Sequence, residues 1–253
     1  MFGREALIVI IAALVGAAIV FGVARWIRDR GGEPEDVTIG FLGPSLAALY
    51  LLVLAVSLAT EWQTIGDASQ AAGNEATAIR ELYWSTDGLA PGPAAVLRAD
   101  TVNYANAVIS HDWPQMRHND VDDQTARMLA QMNTYVLKLD PANASASAVQ
   151  LDAISQIGNA ESAREQRVSD AASQLPLGLM TAVIVTSLVV AVFPFAGGLR
   201  TRGPGLALAA VQAGLVTVGI VVVFQLNHPY SGPLSVGPAA MQSVLTQLTP
   251  AGT

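Results

Sequence analysis

The sequence contains no cysteine, a single lysine at position 138, three histidines and only 13% charged residues. Without cysteine there is no disulfide framework, no thiolate metal site and no cysteine nucleophile, so the compartment has to be read from topology. Thirteen basic residues against twenty acidic ones leave no clustered positive surface, which excludes nucleic acid as a partner. Glycine-rich phosphate loops, a nucleophile elbow and a paired-histidine helix motif are also missing. We therefore expect no catalytic residues, no cofactor and no enzyme activity. No repeat of about 20–50 residues is visible, which removes solenoids and propellers.

What the chain has is apolar length: 52% of its residues are hydrophobic. Four uncharged stretches, about Ala6–Ala24, Val37–Thr60, Leu175–Phe195 and Gly205–Leu226, each approach the roughly 20 helical residues that cross a bilayer core. Backbone amides in lipid must pair within the segment, so these are read as helices. The expected fold is all-α: residues 1–60 with transmembrane helices 1 and 2, a soluble domain at 61–176, helices 3 and 4 within 175–226, and a tail at 227–253. Gly43-Pro44 predicts a kink early in helix 2, with Ser45 placed to re-satisfy a freed backbone group. The first stretch outruns a signal-peptide core and is followed at once by Arg25, Arg28 and Arg30, so it reads as a retained span.

Those arginines, with Arg200 and Arg202 after helix 3, put the two inter-span loops on the cytoplasmic side. Both termini and the large domain then lie outside the cytoplasm in a multi-pass cell-membrane protein.

Between Glu61 and Pro176 the chain carries fifteen acidic and seven basic residues. Alanine, glutamine, leucine and methionine dominate, and breakers divide the segment into about four helices. The first, with no breaker after helix 2, extends it as one rod and turns Trp62, Ile65, Ala68, Ala72, Ala76, Ile79 and Leu82 or Tyr83 inward. The second carries Val96, Leu97, Val102, Tyr104, Ala107 and Val108 up to an interruption at Trp113-Pro114. The third starts among Asn119–Asp123, acids suited to a helix N-terminus, and ends near Leu139. The fourth, from about Ser145, presents Val149, Ile154, Ile157, Ala160, Ala163 and Val168 and runs toward helix 3, with Leu175-Pro176 kinking or capping the junction. The tail from Asn227 is expected to be ordered only if it docks.

His111, Asp112, His118, Asp120, Asp122 and Asp123 are the only ligand-like cluster, but their spacing matches no zinc motif, and a capped loop is the expected reading, with no metal. Glu161 and Glu165, with Arg164 and Arg167 beside them, read as a solvated ion-pair face. Tyr50, Ser57 and Thr64 recur every seven residues, either as a polar stripe or as ordinary helix packing. The pore-lining candidates on this rod are Ser45, Tyr50, Ser57, Thr60, Glu61 and Thr64.

From about Ile39 to Pro238 the sequence resembles the bacterial bestrophin-like family, common in actinobacteria. The resemblance rests on Gly40-Phe41-Leu42-Gly43, on Glu61-Trp62 with Leu82-Tyr83, and on Tyr104 and Val108 leading into Asp112-Trp113-Pro114-Gln115-Met116. Its last element is His228-Pro229-Tyr230-Ser231-Gly232-Pro233-Leu234 after helix 4. Asn227 stands where an acid is usual and Tyr230 where phenylalanine is. True bestrophins are pentameric, calcium-regulated anion channels, with the second span lining the pore and the intervening domain in the cytoplasm. The resemblance implies a homo-oligomeric, ion-channel-like subunit in a lipid bilayer, with helix 2 as the lining. Residues 120–123 are too short for a calcium loop, and an acidic vestibule favours cations. The alternative is a non-catalytic accessory subunit of a larger envelope or respiratory membrane complex.

Overall fold

The structure, a computed structural model, describes residues 36–118, 120, 123–173, 175–196, 204–231 and 235–249. The expected first span, Ala6–Ala24, lies outside the described residues, as do Asn119, Val121, Asp122, Gly232 and Pro233. Among the described residues the fold is all-helical, without strands.

With no breaker after Thr60, the chain forms one helix of 50 residues, α1 (Asp36–Ser85). Pro44 lies within it. Proline there removes the donor to the carbonyl of Gly40, yet Ser45 Oγ donates to the carbonyl of Phe41, 2.8 Å away, not to the carbonyl the proline freed. A short 3-10 turn, Thr86–Gly88, leads to α2 (Pro91–Ala107), with proline in its first turn, where its missing N–H costs nothing.

The expected interruption at Trp113-Pro114 does not occur. A π-turn, Val108–Asp112, joins α2 to a single helical turn, α3 (Trp113–Met116). The wider turn inserts a residue into the ladder just before the proline that could not have donated to it. α4 (Gln124–Leu137) is amphipathic, burying Thr125, Leu129, Met132 and Val136. α5 (Ala144–Ala172) is capped by Asn143, whose Oδ1 accepts from the Ala146 N–H at 2.9 Å.

α5 does not continue into the next apolar helix. It ends at Ala172 and α6 (Leu177–Ala196) begins after Pro176. Ser173 Oγ donates to the Asp170 carbonyl at 2.7 Å, and the Pro176 carbonyl accepts from Leu179 and Met180, opening α6. α7 (Pro204–Leu226) packs against α6, and α8 (Ala239–Leu248) forms in the tail.

The described residues fall into two compact units, one within 1–62 and 174–227, the other within 63–173 and 228–253. In the first, Tyr50, Val190 and Val216 form a small core flanked by Leu46, Leu54 and Ile220. A Cβ at Gly219 would overlap the Tyr50 hydroxyl and crowd Leu54. Gln212 Nε2 reaches the Val190 carbonyl at 2.8 Å, and Asn227 Oδ1 accepts the Leu175 N–H at 2.6 Å. Asn227 thus supplies a neutral acceptor to a neutral amide donor.

In the second unit Ala68, Ala72, Ala76, Ile79 and Leu82 of α1 bury against Leu97, Tyr104, Leu129, Met132, Ile157 and Ala160. Trp62 and Val96, expected inward, are exposed instead. The tail docks: Met241, Val244 and Leu248 of α8 join this core, and α8 packs on α2. Spacings of three and four at those positions are the sequence signal for that helix.

Two windows of 18 residues, one in α1 and one reaching into α6, are apolar enough to cross a membrane. Only 11% of the first window is buried within the chain, where the core helix of a soluble protein would be mostly covered.

Candidate functional site

At about 100° per residue, the six candidate lining residues of α1 spread over roughly 160° of its circumference. Ser45 is exposed at one edge, and Thr60 and Thr64 are half-buried. Tyr50, Ser57 and Glu61 occupy the packed edge. The Tyr50 hydroxyl points at the Val216 carbonyl, 3.4 Å away. Ser57 and Thr60 donate to the carbonyls of Val53 and Val56, their own i−4 positions. Glu61 is buried, and its Oε1 has no hydrogen-bond partner among the described residues.

The second unit holds a buried ion network that the sequence reading missed. Glu75, placed on the inward face of α1 by the same spacing as Ala68, Ala72 and Leu82, is fully buried. Arg167 of α5 meets it with Nε at 2.6 Å from Oε2 and Nη2 at 3.1 Å from Oε1. The Tyr104 hydroxyl of α2 donates to Glu75 Oε1 at 2.6 Å. Arg167 Nη2 also reaches Asp112 Oδ2 at 2.9 Å. That oxygen accepts from Thr125 Oγ1 of α4 at 2.8 Å and lies 3.7 Å from Arg164 Nε. Arg164 Nε itself donates to Thr125 Oγ1 at 2.7 Å.

Two guanidinium groups thus face two carboxylates, so the cluster is balanced in charge, and one bidentate contact fixes its geometry. Burial opposes the charge on Arg167, but Glu75 more than reverses that and holds its pKa above the ordinary arginine value. Burial, followed by the Glu75 carboxylate, pushes the Tyr104 phenol well up, so it stays a donor. Glu161 and Glu165 do not take Arg164 and Arg167 as a solvated face. The helix turns both arginines into the core, because acids wait for them on α1 and the π-turn.

Of the residues that carry the resemblance, Tyr104 and Trp113 touch this network and Tyr230 packs on Trp113. Trp113 lies under Arg167, whose guanidinium carbon is 4.8 Å from the ring centroid. Its Nε1 donates to the Val236 carbonyl at 3.1 Å, and Tyr230 meets it edge-on at 6.0 Å. Tyr230 is buried, with its hydroxyl 3.5 Å from the Ala68 carbonyl. Pro229 is buried, and its carbonyl accepts from Val236; His228 is half-buried. Pro114 and Trp62 are exposed.

His111 and His118 are exposed while Asp112 is buried, and Asp122 lies outside the described residues. Among the described residues no group of three or more potential metal ligands is found.

The profile of the Bestrophin-like domain matches residues 9–241. No curated protein matches the sequence. Among solved structures, a point variant of a bacterial bestrophin homologue from Klebsiella pneumoniae superposes with a TM-score of 0.59 at 12% identity, over 96% of this chain and 99% of that one. At that identity the likeness speaks for the fold. With the profile covering nearly all of the sequence, this chain belongs to the bestrophin-like family.

Proposed function

We propose that this chain is one subunit of a homo-oligomeric, channel-like protein of a lipid bilayer, with the first half of α1 along the conduction path. The observation that carries this reading is the mismatch on α1. Its apolar window is left almost wholly uncovered by the described residues, with Leu49, Leu51, Leu52 and Val56 exposed. An apolar surface of that length suits lipid or identical neighbours as its cover. Membership of the bestrophin-like family supports a channel over an enzyme.

The lining narrows to Ser45, Thr60 and Thr64, since Tyr50, Ser57 and Glu61 are buried. Four spans, with the acidic domain and both termini outside the cytoplasm, complete the topology. The acidic excess selects cations over anions at the vestibule.

Flux through liposomes carrying the purified protein, read beside its native mass, tests the reading. Cation flux above empty liposomes from a ring of identical chains is expected. A monomer without flux sinks it, and stoichiometric foreign partners favour the accessory role. Single cysteines between Trp84 and Gly92, in a chain that has none, should label from outside the cell; labelling from inside alone reverses the topology.

A further inference from the structure

Two faces of the second unit carry opposite charge and matching periodicity. A groove of about 560 Å³ runs between α1 and α5, lined by Asp67, Asn74 and Glu81 on one side and Gln156, Asn159 and Gln166 on the other. An acid stands at each end of the α1 wall, amides fill the middle, and no basic side chain lines it. Glu81 lies 3.9 Å from the half-buried Arg80. On α4, whose inward face is Thr125, Leu129, Met132 and Val136, the outward face presents Arg127, Gln131, Thr134 and Lys138. No acid occurs within that helix, and the ridge holds the chain's only lysine.

We propose that the α4 ridge of one subunit seats in the α1/α5 groove of the next, forming the head-to-tail contact of the ring. The inference rests on the homo-oligomeric reading above. At 1.5 Å per residue, Arg127 and Lys138 are about 17 Å apart and Asp67 and Glu81 about 21 Å apart, a difference that long basic side chains span. Arg127 and Lys138 mark the ends of the ridge and Asp67 and Glu81 those of the groove, so these four charges match in either direction of approach, with Asp123 and Asp140 exposed just beyond the ridge. A helix of that length fills about 1,300–1,900 Å³ at a diameter of 10–12 Å. The groove therefore admits a row of side chains and not a whole helix, which is the geometry of a ridge entering a groove. Used head to tail, each subunit giving its ridge to one neighbour and its groove to the other, the contact is heterologous and propagates around a ring.

Disulfide trapping in the full chain in mild detergent decides the matter. Asn74→Cys and Gln131→Cys chains, each alone, should give no cross-linked dimer under mild oxidation, and their mixture should give one. The double variant should give a ladder ending at the ring size found by native mass. In parallel, Arg127→Glu with Lys138→Glu should raise the protein concentration for half-assembly at least about tenfold, and Asp67→Lys with Glu81→Lys in the same chain should recover it. Circular dichroism confirms that helicity is kept; if it is not, trapping still decides, since it leaves the charges native.

Dimers from Asn74→Cys alone overturn the proposal. A wild-type ring without the 74–131 cross-link also overturns it while leaving the channel reading intact. A monomeric wild-type chain sinks the channel reading itself.

Discussion

Arg167 holds Glu75 through two edges of its guanidinium, Nε at 2.6 Å and Nη2 at 3.1 Å, with both side chains fully shielded from water. The pair ties α5 to α1, and Asp112 and Tyr104 extend the tie to the π-turn and α2. Removing one charge strands the other in a medium that cannot solvate it. Arg167→Met or Glu75→Leu should each destabilise the chain by about 3–5 kcal/mol. The double replacement should cost clearly less than the two losses added together. Thermal or denaturant unfolding in detergent, arranged as a double-mutant cycle, checks this; strict additivity would refute the coupling.

Tyr104→Phe removes a donor to a charged acceptor without changing shape. A loss of about 1.5–3 kcal/mol is expected by the same unfolding measurement. Wild-type stability would mean that Arg167 alone satisfies Glu75.

Asp170 sets a pH dependence. Burial raises its pKa above the ordinary 3.8, and Asp67 adds to the rise while a hydrogen bond from Gln166 opposes it. The folded chain then binds this proton more tightly than the unfolded chain does. Asp170 therefore lowers stability as pH climbs from its ordinary value through the raised one. Asp170→Asn should flatten that fall and leave the protein more stable at neutral pH than the wild type. A melting temperature series across the acidic range reads it, and an unchanged slope rules the assignment out.

Gly219→Val pushes a side chain into Tyr50 and Leu54. Overpacking of this kind costs about 1–3 kcal/mol, and Tyr50→Phe, which removes the atom nearest the intruding group, should return part of it. Thermal aggregation of the solubilised protein reports both changes.

Met241→Ala opens a cavity where α8 meets α2 and should cost about 2–5 kcal/mol. A neutral outcome would mean that the tail helix adds nothing to the core.

The helices were legible where periodicity ran long. Ala68, Ala72, Ala76, Ile79 and Leu82 at three and four residue spacings marked the inner face of α1, and Ile157, Ala160 and Ala163 that of α5. Glu75 and Arg167 sit on those same inner faces, but a charge on an apolar stripe reads as a solvated edge unless its partner is known. The partners stand 92 residues apart, a separation that no local pattern encodes. Pro114 misled for a related reason: proline argues for a helix end, while the π-turn before it supplies a second way to do without the missing donor. The candidate lining of α1 was chosen by residue type, and which side of the helix stays open depends on where α7 packs.

The docked tail governs the order in which this chain can finish folding. Tyr230 lies against Ala68 across 162 residues, and at about 5–20 residues per second the ribosome needs roughly 8–30 s to make that stretch. The charged cluster around Arg167 can assemble during that interval, but Trp113 still lacks the carbonyl of Val236 and the edge of Tyr230. The second unit must therefore wait, partly uncovered, until α6 and α7 have been synthesised, so its last contacts form after translation has passed both apolar helices.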